Sequence, residues 1–340
     1  MSAAADSASS VDESERRAAF AAARDACRRD GGAGGAYLAS FFLPLIKRQG
    51  VYAVWAFSRL IERAVAAEEP AGDCATGTCG GGSTVAPLLK SRVDAMYDAP
   101  RIELPLPPFR DESQWVMLAA IETNRRFEIP RSLWHELIDG LALFESVRRV
   151  ATWRSLDAHL AVTGGNVGRI IAAVLGATHS DAGSFAAAIG RAVRLTSILR
   201  HLERDVARDR LLLPLEDLAR FRYSERELLA GTINDNLRSL IRHEIARARE
   251  LFSEGAAGTC WLDGDGSRMA AGALVALQLA QLDAIDREPE LILRGDGAIK
   301  RPSLVAQLRQ LPRAWRIATR SSADREEASG GHAIGRTSRL

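Results

Sequence analysis

Cysteine is scarce in this chain, with four in 340 residues, and net charge is nearly absent, at +2. Cys27 and Cys260 stand alone, while Cys74 and Cys79 share a glycine-rich stretch, DCATGTCGGGST. No second Cys/His pair stands at comparable spacing, so that stretch reads as a plain flexible loop rather than half a zinc site. Few cysteines and no export signal place the chain in a reducing cytoplasm. A near-neutral balance excludes a surface built for nucleic acid. No uninterrupted apolar run reaches the ~18–20 residues of a membrane span. The best candidates, Tyr37–Ile46 and Met269–Leu282, are interrupted by Pro44 and by Gln278 and Gln281. They read as buried helices, with peripheral membrane contact left open should the ligand be a lipid. Strand-like alternation with hairpin turns is missing, as is a repeating βα pattern. Missing too are the nucleophile elbow, the phosphate loop, HExxH and a dinucleotide fingerprint. Asp263–Ser267 (DGDGS) lacks the later glutamate of a calcium loop and reads as a turn.

What remains is helix. Hydrophobic residues make up 47% and charged residues 26%, ordinary values for a globular chain. Helical periodicity recurs at 13–29, 36–47, 50–68, 84–97, 112–126, 133–149, 154–175, 182–209, 224–253, 265–287 and 303–317. Ser132 and Ser224 are capping-type residues at two of these starts, and Ser224 with Glu227 fits a capping box. Three prolines in Arg101–Pro108 make an extended connector. The expected fold class is all-α: one multi-helix bundle over 13–318 with a central cavity, between polar tails at 1–12 and 319–340 that are too poor in apolar residues to pack. Trp55, Phe57, Trp115, Trp134 and Phe144 sit in apolar helical patterns, as core or as lining of such a cavity.

Three segments carry more than periodicity. Tyr37–Leu60 reads YLASFFLPLIKRQGVYAVWAFSRL, Thr163–Gly168 reads TGGNVG, and Arg194–Glu227 reads RLTSILRHLERDVARDRLLLPLEDLARFRYSERE. In this order they resemble the first signature, the helix break and the second signature of the squalene/phytoene synthase family, and Ile299–Trp315 resembles its C-terminal basic helix. The resemblance spans roughly residues 14–317. It implies an isoprenoid-synthase-like bundle that joins prenyl diphosphates head to head, in carotenoid-, squalene- or hopanoid-type metabolism. It also implies Mg²⁺ ions bridging the diphosphates to two aspartate-rich motifs on facing helices. Carboxylates suit that task because Mg²⁺ takes oxygen ligands and then stabilises the departing diphosphate as a Lewis acid.

The resemblance sets catalytic positions on Glu62, Asp205, Arg59 and Arg200, and substrate-binding positions on Tyr37, Arg63, Arg194, Ser197 and His201. Glu62 and Asp205 also stand at family metal positions. Where the family carries three acids in its first motif, this chain has Glu62, Arg63 and Ala66; in the second it has His201, Arg204 and Asp205. Each trio sums to zero charge instead of three negatives, so the usual magnesium cluster is not expected. The family's Gln and Asn upstream become Arg194 and Ser197, and its Tyr before the break becomes His159. Acids replaced by Arg and His make a basic cleft, and guanidinium forks match phosphate oxygens without a metal. Arg194, Ser197, His201 and Asp205 share one helical face, with Leu195, Ile198, Leu199 and Leu202 on the packing side. A plainer account makes them internal ion pairs, Glu62 with Arg63 or Arg59 and Asp205 with Arg194 or an Arg across the gap, of little energetic weight. Three readings follow: a synthase with an altered site, a non-catalytic isoprenoid or lipid binder, and an assembly partner. An open apolar tunnel favours the first two.

Overall fold

Each long helix presents an apolar stripe at helical spacing, and the fold follows from burying those stripes on one another. The computed structural model describes residues 13–29, 35–67, 85–98, 112–294 and 304–319. The tails at 1–12 and 320–340, the Cys74/Cys79 stretch and the 101–108 connector lie outside these. Helix α1 (Glu13–Arg29) buries Ala19, Ala23 and Cys27. A short α2 (Ala36–Ala39) passes into a 3₁₀ turn, Ser40–Phe42, and Pro44 then opens α3 (Leu45–Ala66). Then come α4 (Val85–Asp98), α5 (Glu112–Phe127) and α6 (Arg131–Ser146). α7 (Trp153–Leu160) runs through a π-helical turn, Ala161–Gly165, into α8 (Asn166–Leu175). α9 (Ala182–Arg200) is followed by short helices α10 (Leu202–Ala207), α11 (Leu215–Arg220) and α12 (Glu225–Leu229). α13 (Asp235–Ala256), α14 (Ser267–Arg287), α15 (Leu304–Leu308) and α16 (Leu311–Ala318) complete the bundle. Among the described residues there are two isolated β-bridges and no strand.

Local chemistry explains where these differ from the periodicity. The expected 36–47 helix stops at Leu43, which is extended (φ −84°, ψ 148°) because a residue before proline is pushed out of the helical region. The expected 224–253 helix is two helices. Ser224 does form a capping box with Glu227, but Gly231 at φ +63° ends α12, and the Asn234 side chain caps α13 by accepting from Leu237 N–H. The 182–209 helix is interrupted at His201 (φ −112°, ψ 18°). Its N–H still donates to the carbonyl of Ser197 at 3.1 Å, so the chain keeps its heading. Ser132 caps nothing: it lies inside the first turn of α6, after Pro130.

Two apolar cores result. One gathers Phe57, Ile61, Met96, Met117 and Trp134, the Phe57 and Trp134 rings meeting edge-on at 4.9 Å. The other gathers Leu195, Leu199, Leu237, Ile241, Phe252 and Leu282. Each such side chain contributes about 1.5–3 kcal/mol when fully buried. Between them α8 and α9 touch backbone to backbone: a Cβ on Gly164 or Gly190 would run into the other's carbonyl, and one on Gly168 into that of Ala186. Lys47 fastens the ends of three helices, donating to Leu175 O at 3.0 Å and pairing with Asp263 and Asp265 at 2.6 and 2.9 Å. The DGDGS turn is thus an anchor for a lysine. In the second core Arg247 stacks on Trp153 at 4.5 Å and pairs with Asp217 and with Glu244, which is wholly buried. Two stretches, Trp153–Leu175 and Ser267–Arg287, are long and apolar enough to cross a bilayer, but half or more of each is buried within the bundle.

Candidate functional site

The glycine seam holds α8 and α9 to one side and leaves space between them, α3 and α14. That space is a cavity of about 150 Å³, walled by Val51, Val167, Ile171, Ile189, Val193 and Leu274 among others. Two of the hydroxyls in its wall are turned back into their own helices: Ser58 Oγ donates to Val54 O at 2.8 Å and Thr163 Oγ1 to His159 O at 2.7 Å. The wall is therefore apolar in effect. A second space of about 360 Å³ adjoins it, and Arg59, Glu62, Arg194 and Ser197 line both. This outer mouth carries six arginines (59, 63, 194, 204, 208 and 210) against three carboxylates (Glu62, Glu145 and Asp205).

Of the residues singled out in the sequence, Arg59, Glu62, Arg63, Arg194, Ser197, His201 and Asp205 meet at the mouth. Tyr37 does not line either space; its ring stacks on Tyr52 at 5.7 Å and meets Phe41 edge-on. Arg200, half-buried at the end of α9, is likewise outside both. Of the ion pairs expected, that of Glu62 with Arg59 forms and that of Asp205 with Arg194 does not. Glu62 pairs with Arg59 and, across the gap, with Arg194 at 2.9 Å, and Arg63 is left exposed. Arg194 is thereby spent on Glu62, and Asp205 makes no ion pair among the described residues. Leu195, Ile198, Leu199 and Leu202 form the buried side of the second motif, as the stripe implies.

Sequence reasoning passed over Glu145, Arg208 and Arg210; Phe144, read there as core or cavity lining, stands in the wall of the mouth. Arg210 is buried and pairs with Glu145 at 3.0 Å; it and Arg194 each lie 5.3 Å from the Phe144 ring, which holds both guanidiniums by cation–π attraction. An arginine heading the apolar run RLLLP was the signal available, since such a residue must bury its charge or bend the run outward. Arg59 is held the same way over Trp55, at 4.7 Å. Arg194 Nε, Arg210 Nε and Trp55 Nε1 are buried donors without a partner among the described residues. An unpaired buried donor costs about 1–3 kcal/mol, so these three are held at the expense of stability.

Electrostatics follows from this excess of cations. Burial pushes the Glu62 carboxyl up, but Arg194 and Arg59 outweigh it and hold it below the usual glutamate range. Burial raises Asp205, opposed by Arg210, Arg204 and Arg194. His159, at the family's Tyr position, lies beside Phe144 at 5.4 Å, and burial lowers its pKa. A magnesium cluster does not fit this donor set. Both Glu62 oxygens are already taken by guanidiniums, and the arginines around Asp205 repel a dication. Among the described residues no three His, Cys, Asp or Glu side chains gather as metal ligands.

The helical bundle, with an apolar cavity beside a charged mouth, has an isoprenoid-synthase-like fold. The squalene/phytoene synthase family model matches residues 33–306, and the chain belongs to that family, whose place is in isoprenoid metabolism. It is 32% identical over 210 residues to the 15-cis-phytoene synthase of Synechocystis sp., covering 58% of this chain and 61% of that protein. It is 29% identical over 222 residues to the phytoene synthase of Thermus thermophilus, covering 65% and 69%. The fold is similar to a crystal structure of a dehydrosqualene synthase in complex with ligand (TM-score 0.72, 21% identity, 89% of this chain and 97% of that one). It is also similar to a squalene synthase from Alicyclobacillus acidocaldarius (TM-score 0.63, 20% identity, 81% and 95%).

Proposed function

We propose that this protein holds a prenyl diphosphate, or another isoprenoid with an anionic head, without Mg²⁺. The tail lies in the apolar cavity and the head among the arginines of the mouth. One observation carries the reading: an apolar and a basic space adjoin and share Arg59, Glu62, Arg194 and Ser197 in their walls, as suits a ligand with a greasy end and a charged one. The surplus of three positive charges at the mouth matches one diphosphate and falls short of two. The exposed run Phe41, Phe42, Leu45 and Ile46 adjoins Ala39, Ser40 and Leu43 of the cavity wall, and there a bilayer surface would be met.

Family membership supports a second reading, a synthase performing one step of the family reaction on a single bound diphosphate. An open cavity speaks for either of these over a pure assembly partner. The test is to titrate the protein with farnesyl diphosphate in EDTA and in Mg²⁺ and to follow products by mass spectrometry. Equal affinity in both conditions with no hydrocarbon is expected. Binding abolished by EDTA, or Mg²⁺-dependent hydrocarbon formation, would reject the proposal.

A further inference from the structure

One carboxylate stands where the mouth meets the cavity. Arg194 Nη1 donates to Glu62 Oε1 at 2.9 Å and Arg59 Nη1 donates to Oε2, and all three residues line both spaces. The two guanidiniums come from facing helices, α9 and α3, and each is braced on an aromatic ring, Phe144 and Trp55. An oxyanion gripped by two braced guanidiniums is the contact a phosphate oxygen would make at that place, since the guanidinium fork fits carboxylate and phosphate alike.

We infer that Glu62 is an internal counter-anion: in the empty protein it occupies the arginines that receive the ligand's head group, and the head group displaces it. This rests on the metal-free reading of the site. It reverses the role a carboxylate has at a magnesium centre, where it holds the cation and its loss weakens binding. Here its loss strengthens binding, because the incoming anion no longer competes for Arg59 and Arg194. Glu145, the carboxylate on Arg210, is the natural comparison. It contributes the same charge to the mouth and pairs with Arg210 instead.

The experiment is calorimetric titration of the full chain with farnesyl diphosphate in EDTA. Glu62→Gln keeps the shape and removes the charge, and is expected to bind about tenfold tighter than wild type. Glu62→Asp keeps the charge but is too short to span both guanidiniums, and is expected to gain by a smaller factor; it serves if the Gln variant fails to fold. Glu145→Gln is expected to gain less than about threefold from charge alone. Equal or weaker binding by folded Glu62 variants, or an equal gain in Glu145→Gln, would overturn the inference while wild-type binding in EDTA leaves the reading of the site standing. Absence of wild-type binding in EDTA overturns that reading instead, whether or not Mg²⁺ restores it.

Discussion

Glu244 shows what a single buried carboxyl does to the whole stability curve. It is fully buried, one oxygen meets Arg247 at 2.9 Å, and the other has no partner among the described residues. Burial pushes its pKa up from 4.5 to about 7, against the pull of Arg247. The folded state therefore holds a proton that the unfolded state gives up, and stability drains away as pH rises from about 4.5 to about 7. Glu244→Gln mimics the protonated form. Its melting temperature should coincide with wild type near pH 5 and exceed it by about 5 °C near pH 8, read by circular dichroism. Legibility at this scale was uneven. The Ser224 capping box and the polar stripe through Arg194, Ser197, His201 and Asp205 were plain, because both depend on short-range spacing along the chain, which the break at His201 leaves nearly intact. The partner of Glu62 was not, because Arg194 reaches it from 132 residues away, a distance no local pattern encodes.

Between elements, the decisive contact is the glycine seam of α8 and α9. Gly164, Gly168 and Gly190 admit no methyl group, since what each would strike is backbone rather than a rotatable side chain. Gly190→Ala should cost about 3 kcal/mol or more, measured by urea denaturation; Gly183→Ala on the same helix, with open space around it, should cost nothing or stabilise slightly. Most helix existence was legible from the apolar period. The break at Leu43 was signalled by Pro44, but those at His201 and 230–234 were not, because a period says which face is buried and is silent on where a chain turns aside. The TGGNVG stretch was visible as a break, and takes the form of a π-helical turn.

Across the whole molecule, the cavity lies at the meeting of two cores, and a ligand seated there touches both. Binding to the folded state alone stabilises it by about 2.7 kcal/mol at a hundredfold excess over Kd. Farnesyl diphosphate in EDTA should accordingly raise the melting temperature by several degrees, and farnesol, with the same tail and no charge, by distinctly less. An equal rise for both would show that the arginines contribute nothing to affinity. The all-helical architecture was readable before any coordinates; the pairing of an apolar chamber with a basic antechamber was not, since it is assembled from α3, α6, α9 and the turn after α10.

The backbone-on-backbone wall has one more consequence. Side chains can swing aside for a guest, but carbonyls locked against a neighbouring helix cannot, so that side of the chamber behaves as a fixed die. Any accommodation of a longer or bulkier tail falls to the movable pieces opposite, Trp55, Leu274 and Gln278. Selection for tail length should therefore be retuned by exchanging those three, and blunted by none of the exchanges the seam forbids.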